Sequence, residues 1–148
     1  MKQLFILVIL ALTVASCSKK EEKAMKINGM WDIEETIITN YINNEPQQDS
    51  IVDQQGRIIF TVTGGLDNDC VHNLSYGPCI QVCSWDLPRK KLDQLFFYSY
   101  DEYAFEIYAS SCMVEKLTRK KLELVKISYD NDLNILQKSV WKFRRAEL

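Results

Sequence analysis

Trp31–Thr39 reads WDIEETIIT. β-Branched and aromatic residues recur among polar ones, the texture of a strand that buries one face. The alternation places Trp31, Ile33 and Ile37 on one side. Similar runs follow along the chain: Arg57–Thr63 (RIIFTVT, ended by Gly64-Gly65), Ile80–Leu87 (IQVCSWDL, stopped by Pro88), Leu92–Tyr98, Tyr103–Ala109, Met113–Leu117, Leu122–Ser128 and Gln137–Arg145. Asp101-Glu102, Arg119-Lys120 and Asp130-Asn131-Asp132 read as turns between them.

Eight short strands with mostly tight connections predict an all-β, antiparallel up-and-down arrangement. A sheet of that many strands protects its edges best by closing into an eight-stranded barrel. Such a barrel is either filled by its own side chains or holds one small ligand. Two segments interrupt the tight turns, Asn40–Gln55 and Gly65–Cys79, and both follow early strands, so they border the same region of the barrel. Candidate ligand-lining residues are Phe60, Trp85, Phe97, Tyr103, Phe105 and Ile107; the competing role for each is ordinary core packing.

Both ends of this strand series carry a further signal. Asn28-Gly29-Met30-Trp31 opens the first strand, and Trp141-Lys142-Phe143-Arg144-Arg145 closes the last. A Gly-x-Trp at the first strand with an Arg at the end of the last resembles the lipocalin-like (calycin) barrels. The resemblance implies that Trp31 closes one end of the barrel and that an arginine packs across its indole. Arg145 is preferred to Arg144 because it shares a face with Trp141 and Phe143. Asn40–Gln55 falls where that family places its lid loop. The implied function is binding of a small apolar or amphipathic ligand. A different class of function is also open: a non-enzymatic accessory subunit docking on an envelope or outer-membrane protein complex through its long loops.

The chain has 148 residues, enough for one domain, and a formal charge of −2, which excludes a strongly basic nucleic-acid binder. Its N-terminus has a different character. Lys2 precedes an apolar run from Leu4 to Leu12, too short to span a bilayer and suited to a secretory signal. Val14-Ala15-Ser16-Cys17 resembles a bacterial lipobox. That resemblance implies cleavage before Cys17 and lipidation of its thiol, which anchors the chain to a membrane. Residues 18–24 (SKKEEKA) read as a solvated tether and resemble the export signals of surface lipoproteins in the Bacteroidetes. The expected organisation is a signal peptide over 1–16, a lipidated Cys and charged tether over 17–26, and the barrel over 27–148. The expected location is the bacterial cell envelope, lipid-anchored to the outer membrane, on its periplasmic or outer face.

Apart from Cys17, the cysteines are Cys70, Cys79, Cys83 and Cys112, an even number in an exported chain. They are disulfide candidates, with three connectivities that sequence leaves open. Cys70, His72, Cys79 and Cys83 also offer a Cys3His metal set, but an oxidising compartment favours disulfides, so no metal or other cofactor is assigned. His72 is the one histidine and reads as an exposed loop residue. No Gly-x-Ser-x-Gly nucleophile motif is present, and no enzyme activity is expected.

Overall fold

β1 (Gly29–Ile42) is the longest strand, and the barrel is built around it. The computed structural model describes residues 19–63, 68–88, 91–101, 106–130 and 135–147. β2 (Glu45–Pro46), β3 (Ser50–Val52) and β4 (Arg57–Thr61) all pair antiparallel with β1 along one edge, so together they form one interrupted stave. β5 (Asn68–His72), β6 (Val82–Asp86), β7 (Gln94–Asp101), β8 (Glu106–Leu117), β9 (Lys121–Asp130) and β10 (Ile135–Arg145) follow in order. Each pairs with its neighbour, and β10 returns to β1 from Trp31↔Arg145 to Ile42↔Ile135. The result is a closed, eight-staved, antiparallel up-and-down barrel.

The eight staves differ in two places from the eight runs in the sequence. β5 lies inside the expected Gly65–Cys79 loop. NDCVH has weak strand propensity, and its place between β4 and β6 supplies the ladder that its side chains do not favour. Conversely, Tyr103–Ala109 and Met113–Leu117 are not separate strands. β8 runs unbroken through Ser110, Ser111 and Cys112, paired with β7 and then with β9. One missed strand and one divided strand cancel in the count.

β1 also departs from simple alternation. A bulge between Ile33 and Glu35 adds a residue and reverses the inward face. Thr36, fully buried, takes the inward position opposite Trp141, and Ile37 turns outward opposite Val140. The sequence-based grouping of Ile37 with Trp31 and Ile33 is corrected by that one residue.

Residues 19–27 form a helix, α1, rather than an extended tether. Ala24 and Ile27 enter the core, and Lys20 pairs with Asp86 at 2.7 Å. Ala24 within the tether segment and Ile27 just after it lie about one turn apart, which suffices to dock a short helix. Residues 1–18, with the expected signal segment and Cys17, lie outside the described residues.

The core is densest toward α1. Phe60 meets Trp85 edge-on at 5.6 Å and Phe97 at 6.3 Å. Ile27, Trp31, Ile58, Leu95, Leu122, Leu124 and Phe143 pack with them, and the same cluster continues through Leu74 and Trp141. Toward the other end, inward positions become polar.

Candidate binding site

The barrel has two unlike ends. At the α1 end, Trp31 is completely buried and its indole N–H donates to the Ile27 carbonyl at 2.7 Å. The Arg145 guanidinium carbon lies 4.2 Å from the Trp31 ring centre. Its Nε donates to the Arg119 carbonyl and its Nη1 to that of Asn28, each at 2.9 Å, while Nη2 donates to the carbonyl of Lys26. Gly29 makes room: its φ is +124°, and a Cβ there would sit 2.6 Å from Arg145 Nη1. Gly29, Trp31 and Arg145 therefore meet at one sealed end. Arg144 instead approaches Glu34 at 3.8 Å.

At the opposite end, residues 73–81 fold into the mouth as a plug. Tyr76 is its pin. Its carbonyl accepts from the Trp141 indole at 2.8 Å and from Gln54 Nε2 at 3.1 Å, and its N–H donates to Gln54 Oε1. Gln54 also donates to Thr36 Oγ1 at 2.7 Å. The two long segments thus border one region of the barrel and bond to each other there. His72 holds the plug from β5. Leu74 N–H donates to His72 Nδ1 at 3.2 Å, so the ring proton resides on Nε2, which donates to the Cys79 carbonyl at 2.9 Å. His72 is a buried strand residue with both nitrogens engaged, which corrects its reading as an exposed loop histidine.

Two cavities flank the plug. One of about 310 Å³ is lined by Phe97, Ser99, Ser110, Tyr108, Cys79 and Cys83, among others. The second, about 170 Å³, is lined by Thr36, Ile38, Ser128, Gln137, Ser139 and Trp141, with Tyr76 at its edge. Gly77 and Lys126 contribute to both. Lys126 is the cation common to the two walls, set among hydroxyl groups with apolar surface from Phe97 in the first cavity and Trp141 in the second.

Of the expected lining residues, Phe97 faces a cavity. Phe60 and Trp85 are closed into the core, with Trp85 Nε1 donating to the Asp69 carbonyl. Ile107 is 72% exposed on the outside of β8, opposite in phase to Tyr108, so it is no wall of the interior. Tyr103 and Phe105 lie outside the described residues. The hydroxyl-rich walls and Lys126 escaped the sequence reading. Their signal, polar residues at alternate positions of otherwise apolar strands, is visible only once the register is known.

The four described cysteines are thiols. Cys79 lies 3.1 Å from Cys83 and 3.8 Å from Cys70, sulfur to sulfur, well beyond a bond of about 2.05 Å. Hydrogen bonding with Cys70 and Cys79 holds the Cys83 thiol well below its ordinary range, while the same contacts and burial push Cys70 up. Cys112 stands apart, near the Pro78 carbonyl, and burial raises its thiol to about 12. His72 contributes no ring nitrogen to the sulfur cluster, which removes the Cys3His arrangement.

No protein-family model matches the chain. No curated protein matches it either. Among solved structures it is similar to a redesigned beta barrel, with a TM-score of 0.40 and 13% identity over 84% of this chain and 95% of that chain.

Proposed function

We propose that this is a lipid-anchored, lipocalin-like envelope protein that binds a small amphipathic molecule bearing an acidic group. The observation that carries the reading is the polarity of the barrel interior. It is packed solid with aromatics at the α1 end and opens at the mouth into cavities that share Lys126. A pocket of about 310 Å³ sits at the lower end of the roughly 300–1,000 Å³ used for small ligands. Apolar surface at its floor with one ammonium and several hydroxyls above suits a short acyl chain ending in a carboxylate. The anchoring half of the reading rests on Val14-Ala15-Ser16-Cys17 and is supported by the sequence alone.

Binding is tested by displacement of a fluorescent fatty-acid probe with medium-chain acids. Saturable displacement is expected, with the matching alcohols weaker and Lys126→Met weakening the acid about tenfold, the loss of one charge-assisted contact. Absence of saturable probe binding would refute the ligand reading. Anchoring is tested by Cys17→Ser, which should release the protein from the membrane fraction or leave it unprocessed.

The accessory-subunit reading draws on a different observation. Ile51, Tyr76, Ile80 and Val82, on or beside the two long segments, are all exposed. Crosslinking in the native envelope would return a stable partner through these residues if docking were the function.

A further inference from the structure

Three sulfurs reach one point from three pieces of chain. Cys70 on β5 and Cys83 on β6 face each other across the ladder. Cys79 enters from the plug. All three Sγ atoms lie within 4.8 Å of one another. A disulfide would use two of them and strand the third beside it. A thiophilic cation would use all three.

The geometry favours the cation. With metal–sulfur bonds of about 2.3 Å, three sulfurs arranged around one ion stand about 4 Å apart. The Cys70–Cys79 separation of 3.8 Å already meets that, and the Cys79–Cys83 separation of 3.1 Å must open by under an ångström. Cys79 lies on a loop, so the adjustment does not require a shift of the ladder. Soft sulfur donors select copper(I) or zinc over magnesium or calcium. Cys79 and Cys83 also line the 310 Å³ cavity, which gives an ion a route in and leaves one coordination position facing that space.

We propose that Cys70, Cys79 and Cys83 form a three-thiolate site for one thiophilic d10 cation, copper(I) or zinc(II). On binding, each thiol still protonated releases its proton to solvent and its sulfur bonds the metal, with no change of oxidation state. The site shares the 310 Å³ cavity with Lys126 but takes no ligand from it, so metal uptake by the protein without added acid and acid binding by the metal-free protein are measured separately and either reading can fail alone.

The reduced full chain, kept anaerobic, is titrated separately with copper(I) and with zinc(II). Native mass spectrometry should show one ion per chain, and X-ray absorption at the metal edge should count three sulfur neighbours. Uptake of one of the two ions alone identifies that ion as the occupant. Cys79→Ser should weaken binding more than about 100-fold, beyond the loss expected for an outer hydrogen-bonding partner, while Cys112→Ser leaves it unchanged. The sulfur count is read on the unaltered protein, so it holds even if a serine variant misfolds. The proposal is overturned by two or fewer sulfur neighbours, by binding that survives Cys79→Ser, or by uptake of neither ion. It is equally overturned if protein expressed with its leader and isolated without reductant carries a disulfide among these three cysteines.

Discussion

Arg145 joins three separate parts of the chain. Its guanidinium covers Trp31, and its donors reach carbonyls at Lys26, Asn28 and Arg119. Two of those carbonyls belong to the end of α1, where unpaired acceptors and the negative pole of the helix favour a cation. Lysine has one charged centre and no fork, so it cannot serve all three. Arg145→Ala should cost about 2–3 kcal/mol in urea unfolding, and Arg145→Lys should recover less than half. Gly29→Ala should also destabilise, because φ of +124° strains an L-residue and the new Cβ meets Arg145 Nη1 at 2.6 Å. The double variant keeps the backbone strain and loses the clash, so its cost should be less than the sum of the two single costs. Additive costs would show that Gly29 is needed for φ alone. These three residues were legible in the sequence because their roles depend on residue identity: a glycine, an indole and a guanidinium at the two chain ends of the sheet. Lys126 was not legible. It looks like any lysine in a charged strand until pairing with Ser139 places it inward.

At the scale of elements, local pattern and global pairing disagree around the plug. β5 carries Asn68, Asp69 and His72, yet it is a stave because two neighbours supply its ladder, and it brings Cys70 and His72 to the plug. The β1 bulge is likewise invisible in WDIEETIIT, but it turns Thr36 inward to bond Gln54, which holds Tyr76. The plug has one position that tolerates no side chain. A Cβ on Gly77 would fall 2.2 Å from His72 Cε1, and that ring is fixed by bonds at both nitrogens. Gly77→Ala should therefore displace the plug without unfolding the staves. Hydrogen exchange should speed up across 73–81 while β9 and β10 stay protected. At the other end, Ile27→Ala should cost about 2–4 kcal/mol, since Ile27 is completely buried. If α1 were a mere tether, that substitution would have no measurable effect on thermal unfolding.

For the molecule as a whole, pairing of β10 with β1 closes the sheet, so that among the described strands only the short β2 and β3 are paired on one side alone, and the interior divides by depth. One half is apolar and filled; the other is lined by hydroxyls, an amide and Lys126. The apolar half resists unfolding through buried side chains, and the polar half leaves the open space beside the plug, with no buried side-chain polar atom unpartnered among the described residues. The three tryptophans sample this gradient. Trp31 and Trp85 sit in the filled half, bonded to the carbonyls of Ile27 and Asp69. Trp141 lines the 170 Å³ cavity and bonds the carbonyl of Tyr76 on the plug. A ligand that moves the plug or enters the 170 Å³ cavity changes the surroundings of Trp141, which bonds the plug at Tyr76 and lines that cavity, and leaves those of Trp31 and Trp85 in the filled half. Intrinsic fluorescence should therefore respond to a medium-chain acid in the unaltered protein. Trp141→Phe should remove most of that response while lowering stability by about 1 kcal/mol for the lost indole hydrogen bond. Trp85→Phe should keep the response, even though packing makes it the costlier change. A signal that persists in Trp141→Phe and vanishes in Trp85→Phe would put the ligand in the filled half, and the division of the barrel into a sealed end and a receiving end would then be wrong.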